Sequence, residues 1–314
     1  MTTLTKPHVK PFLKWAGGKG QLLNQIEKFF PQKLKTGKIK KYFEPFLGGG
    51  ALFFRLSNHY DFENIFLYEI NPELVMCYRT IQQDVRRLIR GLEELEEEYL
   101  SFTDAKREKF FYEMRIEYNS YLAKKFRNHF IRRSALLIFL NKTCFNGLYR
   151  VNSLGQFNVP FGRYKNPTIC DEDNLCAVSE ALRKAQIIKG DFELCLEHVD
   201  SQSFVYFDPP YRPISQTASF RNYSTDVFGD EQQRRLKKIF DKLDKRNAHV
   251  MLSNSDPKNI NPRDNFFDDL YSQYHLARLD ATRMINCHAD KRGSVKEILV
   301  MNYLKASCGS YRNK

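Results

Sequence analysis

Phe204-Val205-Tyr206-Phe207-Asp208-Pro209-Pro210-Tyr211 is the stretch on which the reading of this chain turns. Four β-branched or aromatic residues in a row predict a buried strand, and the two prolines stop it at once. Each proline fixes its own φ, holds the residue before it extended and brings no backbone N–H. The turn after the strand is therefore stiff and rich in acceptors. It offers the Asp208 carboxylate and the Pro209 carbonyl, with the flat face of Tyr211 beside them. An amino group on a heteroaromatic ring suits that set, because its two N–H bonds need two acceptors and its ring needs a stacking partner. Two accepted hydrogen bonds turn such a nitrogen toward tetrahedral geometry, so positioning and charge placement do the work of a strong base. A lone Asp-Pro-Pro reads by default as a plain strand-end turn. The apolar strand before it and Tyr211 after it supply the context that changes the reading.

Working outward, Lys14-Trp15-Ala16-Gly17-Gly18-Lys19 is a loop between Pro11-Phe12-Leu13 and a helical stretch over Gln21 to Phe30. It is not a P-loop, since no Ser or Thr follows the lysine and the earlier glycine is missing. Gly17 and Gly18 permit close backbone approach to a ligand, and Lys19 can hold a carboxylate. After a basic connector over Lys33 to Lys41, Tyr42-Phe43 begins a strand that runs into Glu44-Pro45-Phe46-Leu47-Gly48-Gly49-Gly50, and Ala51 to Arg55 opens a helix. Strand, glycine loop and helix in that order form a nucleotide-site architecture. The dinucleotide fingerprint is only half met, with Phe53 where its third glycine belongs. Ile65 to Tyr68 reads as the next strand, and Glu69 at its end can accept both ribose hydroxyls of an adenosyl ligand. Asp191, after Gly190, can accept from the adenine amino group of such a ligand, with a plain Gly-Asp turn as the equal alternative.

Together with Asp208 to Tyr211, these two glycine-bearing stretches make the chain closely resemble the DNA adenine methyltransferase (Dam) family, in the α group of amino-methyltransferases. The resemblance runs from about Pro11 to Tyr303. It implies S-adenosyl-L-methionine as cofactor, held by Trp15, Lys19, Glu44, Phe46, Gly48, Gly50, Glu69, Asp191, Phe192 and Asp208. Family members commonly carry Asp at the Glu69 position, so a contact one methylene longer is expected there. Asp208, Pro209, Pro210 and Tyr211 are the implied catalytic turn, and the implied reaction is methyl transfer to the 6-amino nitrogen of adenine in double-stranded DNA. A base inside a duplex cannot reach a strand-end pocket, so the target must be flipped out and stacked on Tyr211. The sulfonium is already an activated methyl donor, and no metal is implied.

A second informative segment is Phe145-Asn146-Gly147-Leu148-Tyr149-Arg150-Val151-Asn152, followed by Leu154-Gly155 and Phe157-Asn158-Val159-Pro160-Phe161-Gly162. Asn146-Gly147 reads as a turn and Gly155 as the middle of a β-hairpin. A two-stranded ribbon fits the DNA major groove, and Arg150 can meet a guanine edge with two hydrogen bonds. Without the rest of the chain, a surface hairpin remains the default. The resemblance shifts that, because this segment is similar to the hairpin of family members that methylate GATC. It implies Leu148 and Pro160 against thymine methyl groups, Arg150 on guanine, and Phe145 and Asn146 wedged into the duplex. Family members often carry Tyr at the Phe145 position, so a hydroxyl contact is missing there. Lys14 is implied to face the guanine that flanks the target adenine, and Tyr164 to join the DNA-binding set.

The 314 residues suffice for one large domain or two moderate ones. A formal net charge of +13 suits a polyanionic partner. Mean hydropathy of −0.54 and the lack of a long apolar run exclude a transmembrane helix. Met1 to Lys10 is polar, without the apolar centre of a signal peptide, which makes the cytoplasm the default compartment. Seven cysteines without a Cys-x-x-Cys pair argue against a disulfide framework and a structural zinc site. From Pro72 to Lys125 the pattern turns helical, with Leu88, Leu92 and Leu95 on one face and the acidic run Glu93 to Glu98 facing solvent. Arg132 to Leu140 reads as a further helix, His249 to Leu252 and Glu297 to Tyr303 as strands, and the polar loop Arg212 to Val227 as a lid.

The expected fold is α/β: a Rossmann-like, S-adenosylmethionine-dependent methyltransferase sheet with an inserted helical and β-hairpin DNA-recognition domain. Residues 1–75 and 166–314 are assigned to the catalytic domain and 76–165 to the insert. The protein is expected to act as a monomer, alone or beside a restriction endonuclease of the same site. Rival readings are a dehydrogenase, a methyltransferase of protein glutamine or ribosomal RNA, and a non-catalytic DNA-binding protein. The first leaves Asp208 to Tyr211 unexplained. The second often has Asn in place of the first Asp, and the third accounts only for the charge and the hairpin.

Overall fold

The computed structural model describes residues 8–123, 129–213, 228–282 and 294–304. The expected lid over 212–227 lies outside them from residue 214 on, as do Cys287 and Cys308. Among the described residues seven strands form one sheet: β1 (Lys41–Glu44), β2 (Asn64–Glu69), β3 (Ala185–Lys189), β4 (Ser203–Phe207), β5 (His249–Ser255), β6 (His275–Thr282) and β7 (Ser294–Met301). Their order is β3-β2-β1-β4-β5-β7-β6. β1 pairs in parallel with β2 and with β4, β4 pairs in parallel with β5, and β7 runs antiparallel to β5 and β6. The chain thus moves outward from β1 through β2 to β3, then returns across β1 to lay down β4 and β5. That reversal between β1 and β4 is a topological switch point, and ligands of open α/β sheets bind outside the carboxyl ends of the strands at such a point. Every residue of β4 is buried, as expected of a strand deep in a sheet whose faces are both covered.

Compact packing divides the chain into two units, Met1–Gly18 with Leu47–His59 and Glu69–Lys189, and Lys19–Phe46 with Tyr60–Tyr68 and Gly190–Lys314. The first unit is mostly helical. It carries α3 (Ala51–Ser57), α4 (Pro72–Ser101), α5 (Asp104–Ala123), α6 (Phe130–Thr143) and α7 (Glu172–Leu182). Asn71 caps α4 by accepting from the Glu73 N–H at 2.9 Å, and Pro72 occupies its first turn. Leu88, Leu92 and Leu95 are buried on the face read from the sequence. The acidic run is not wholly solvated, since Glu96 accepts from the backbone of Ile169 at 2.7 Å. α6 is buried from Ser134 through Asn141, as an all-round apolar helix must be. It is tied to its neighbours by Glu73, which accepts from Tyr118 Oη and from Arg133 Nε at 2.9 Å each.

The second unit holds the short α1 (Leu23–Ile26) and α2 (Gln32–Lys35), then α8 (Asp230–Lys245) and α9 (Phe266–Leu270). The helix expected over Gln21 to Phe30 is thus one α-helical turn followed by a 3-10 turn over Glu27–Phe29. α8 packs Leu236, Ile239, Phe240 and Leu243 into the core at helical spacing. Among the described residues no helix is long and apolar enough to cross a membrane, and no cluster of His, Cys, Asp and Glu could hold a metal ion.

Candidate active site

β4 ends where the prolines begin, and Asp208 is the first residue past it. Phe207 is in register with Leu252 of β5, so Ser253 stands one residue further along, beside Asp208. Ser253 Oγ donates to Asp208 Oδ1 at 3.0 Å, and the buried Tyr206 hydroxyl lies 2.8 Å from Ser253 Oγ. Lys19 Nζ reaches the same Oδ1 at 3.0 Å. The aspartate is held on one oxygen, with about a fifth of its side chain (19%) exposed. Burial pushes its carboxyl above the usual range, against the opposing pull of Lys19 and the Ser253 hydrogen bond.

Lys19 is only 3% exposed and makes more than one such contact. Its ammonium sits 3.0 Å from Glu297 Oε2 and donates to Tyr211 Oη at 2.7 Å. Tyr211 in turn donates to Glu297 Oε1 at 2.5 Å. Burial alone would depress the lysine, but Asp208 above all, with Tyr206 and Glu297, holds it well above the ordinary lysine range. The carboxylates that Lys19 holds here are the protein's own. Pro209 is buried, whereas Pro210 and Tyr211 are exposed, so the tyrosine ring is offered at the surface of the turn. At the end of β1, buried Glu44 accepts from Tyr42 Oη at 2.6 Å. Phe46 stacks on Phe192 with ring centroids 5.2 Å apart and meets Phe228 and Phe207 edge-on. Asp191 is engaged by Arg235, which donates from Nη2 to Oδ1 at 2.7 Å, and it caps the turn over Phe192–Glu197.

In the first unit, Glu69 is buried at the end of β2. Its carboxylate accepts the N–H of Gly48 at 2.9 Å and that of Asn71 at 2.8 Å. Burial raises it despite these bonds. Gly48 and Gly50 have φ of 48° and 68°, a left-handed backbone that glycine adopts without strain. A Cβ on Gly50 would lie 2.8 Å from the Tyr78 hydroxyl, so the close approach also requires glycine there. Trp15 lies against the loop, 3.2 Å from where a Gly48 Cβ would stand, and stacks on Tyr149 at 5.1 Å. Left-handed glycines after a strand, with a buried acid at the end of the next strand, match the chemistry of an adenosyl group.

The expected DNA-facing residues also fall in the first unit. Asn146 and Gly147 are consecutive left-handed residues, with φ of 57° and 63°, so the turn stands as read. The hairpin after it is sparser than read. Its arms meet in isolated antiparallel bridges, Val151 with Phe157 and Cys144 with Phe161, rather than in a continuous ladder. The asparagines explain this: Asn152 and Asn158 spend side-chain groups on their own loop, and Asn152 Oδ1 accepts from Leu154 and Gln156 at 3.0 Å each. Arg150 is braced across the arms, donating to Asn158 Oδ1 at 2.8 Å and to its carbonyl at 3.1 Å. Phe145, Asn146, Leu148, Arg150 and Pro160 are exposed, and Tyr164 is half-buried with Lys14 Nζ 5.1 Å from its ring centre. Buried Asn141, which sequence reasoning missed, bonds Lys14 N and O at 2.9 Å each and the Gly147 carbonyl at 2.8 Å.

Residues 15–285 match the model of the D12 class N6 adenine-specific DNA methyltransferases. The chain belongs to that family. This methyltransferase is 51% identical over 296 residues to the type II methyltransferase M.MjaIII of Methanocaldococcus jannaschii, covering 94% of this chain and 99% of that protein. It is 37% identical over 305 residues to the type II methyltransferase M1.LlaDCHI of Lactococcus lactis subsp. cremoris, covering 95% and 97% of the two chains. Against the DNA adenine methylase of Haemophilus influenzae identity is 33% over 299 residues, covering 94% and 95%. An adenine-specific DNA methyltransferase is thus what the chain is, and the dehydrogenase and the non-catalytic DNA binder fall away.

Ser253 and Glu297, like Asn141, were not foreseen. A faint signal existed for the first two, as polar residues abutting apolar strand runs, Met251-Leu252 and Ile298 to Met301.

Proposed function

We propose that this methyltransferase moves a methyl group from S-adenosyl-L-methionine to the N6 amino nitrogen of a flipped-out adenine in GATC. The observation that carries the reading is the Asp208 turn at the switch point of the sheet, with Lys19 and Ser253 both held on Oδ1. That leaves Oδ2 to accept one amino N–H and the Pro209 carbonyl to accept the other. The exposed Tyr211 ring supplies the stacking face, with Pro210 fixing the turn between them. When bound, S-adenosyl-L-methionine supplies an activated methyl group on a sulfonium. Asp208 and the Pro209 carbonyl each hold one amino hydrogen and so aim the nitrogen lone pair, and Asp208 takes up the proton that N6 sheds.

In the first unit, Trp15, Gly48, Gly50 and Glu69 are the residues proposed for the cofactor. In the second they are Lys19, Glu44, Phe46, Asp191 and Phe192, with Asp208 shared with the target base. Residues 76–165 are proposed as the recognition domain. Within it Phe145, Asn146, Leu148, Arg150, Pro160 and Tyr164 face the duplex, joined by Lys14. The protein is read as a monomer acting in the cytoplasm, either as a solitary methylase or beside a restriction endonuclease of the same site.

Transfer of labelled methyl groups to duplexes carrying GATC, or a version substituted at each pair in turn, tests both parts. Arg150→Ala is expected to retain cofactor binding and to lose about 1–3 kcal/mol of discrimination at one guanine-containing pair, the worth of a bidentate arginine–guanine contact. Equal methylation of all duplexes by the wild type would remove GATC. Unchanged discrimination in the variant would remove Arg150 as a reader.

A further inference from the structure

Glu297 has no place in the chemistry proposed above, yet both of its oxygens point into it. It stands on β7 opposite Ser255 of β5 and Leu279 of β6, at the start of the buried run Ile298 to Met301. Its side chain is 12% exposed. A carboxylate so little hydrated needs charged or hydrogen-bonding partners. The partners it has are Lys19 at 3.0 Å and the Tyr211 hydroxyl at 2.5 Å, and Lys19 also holds Asp208. One ammonium is therefore shared between two carboxylates, and the tyrosine hydroxyl bridges the ammonium and the second carboxylate.

We propose that Glu297 is a positioning residue for methyl transfer, drawing Lys19 away from full neutralisation of Asp208 and fixing the Tyr211 ring before the target base arrives. The inference rests on the reading of Asp208 and Tyr211 given above. A lysine paired with Asp208 alone would place all its charge on the acceptor that the amino group must use. With Glu297 sharing that ammonium, the three charged groups keep a net negative charge and Asp208 remains a strong acceptor. The tyrosine hydroxyl accepts from Lys19 and donates to Glu297, so its ring is set by two bonds of opposite sense. Preorganisation of this kind acts on the rate of the chemical step rather than on binding.

Glu297→Gln in the full-length protein is the test, because glutamine keeps the shape and an acceptor for Tyr211 while removing the charge. The expected result is a fall in kcat of about ten- to a hundred-fold, with KM for a GATC duplex and the affinity for S-adenosyl-L-methionine unchanged. Lys19, Ser253 and Glu297 act on Asp208, Tyr206 and Tyr42 lie within its field, and the Glu297 charge is among those that raise it. The acid limb of kcat is accordingly expected to move to lower pH in the variant, a shift that a merely structural role would not produce. Tyr211→Phe keeps the ring and removes the bridge, and the double variant is expected to be no slower than the worse single one, since both break one link. A Glu297→Gln protein with wild-type kcat and pH profile overturns the proposal, as does a loss confined to KM. If that variant does not fold, wild-type kcat in Tyr211→Phe overturns it instead. A wild type that methylates no adenine duplex sinks the underlying reading, whereas an active wild type with an indifferent Glu297→Gln sinks only this one.

Discussion

Asp208 shows what one side chain needs in order to act on a weak nucleophile. Its carboxylate is partly buried, so water competes little for the acceptor, and burial raises its proton affinity above that of a free aspartate. Lys19 and Ser253 offset that cost by bonding Oδ1. Asp208→Asn preserves the volume and one acceptor but removes the charge, and single-turnover transfer is expected to slow by about 10²–10³-fold, the scale of losing one preorganised electrostatic contact. A rate within a few-fold of wild type would take Asp208 out of the mechanism. The direction of the pKa shift adds a second expectation. Only the ionised carboxylate accepts two-sided bonding, so activity is lost as pH falls through the folded-state pKa, and that pKa is raised. The acid limb of the single-turnover rate should therefore lie above the normal aspartate range, and a limb within that range would contradict the assignment.

At the scale of elements, the strands that carry the site were the easiest to read and their partners the hardest. β4, and β5 over Val250 to Leu252, are apolar runs because parallel strands covered on both faces have no polar side to alternate with. β6, His275-Leu-Ala-Arg-Leu-Asp-Ala-Thr, was not foreseen. Among the described strands it sits at the sheet edge beside β7, and its charged residues give it no such run. Asp208, Tyr211, Lys19 and the glycine loop were legible because each belongs to a local motif. Glu297 was not, since its bond to Tyr211 spans 86 positions and only the register of β5 with β7 brings it there. Asn141 is the same case in the helical unit, where it joins α6 to Lys14 across 127 positions. Asn141→Ala would take this partner from the part-buried N–H and carbonyl of Lys14 and from the buried Gly147 carbonyl, at a cost of about 1–3 kcal/mol in stability. Chemical denaturation measures this directly. Duplex affinity is expected to fall as well, because the same bonds hold Lys14 against the Asn146-Gly147 turn. A variant as stable as wild type would show that these groups find other partners.

For the whole molecule the decisive quantity is charge. The formal excess of +13 is what remains after many basic side chains have been consumed internally. Arg133 is paired with Glu73, Arg212 with Asp230 and Asp264, Arg235 with Asp191 and Glu193, and Arg278 with Asp256 and Asp268. In these groups four arginines face seven carboxylates, so they brace the fold and bring no positive charge to the net field. The exposed Arg150 and Lys14 belong to the part of the excess that is open to solvent and available to DNA. Binding that neutralises phosphates releases condensed counterions, so affinity falls linearly with salt on logarithmic axes, by about 0.9 per phosphate contacted. A recognition surface that engages about six phosphates would give a slope of roughly −5. Fluorescence anisotropy of a labelled GATC duplex, titrated across a series of salt concentrations, measures it. The same slope is expected for Arg150→Ala if that residue reads a base, and a slope shallower by about one unit if it contacts a phosphate instead. A wild-type slope near zero would mean that the basic excess plays no part in holding DNA, and the charge would have to be explained by something other than the substrate.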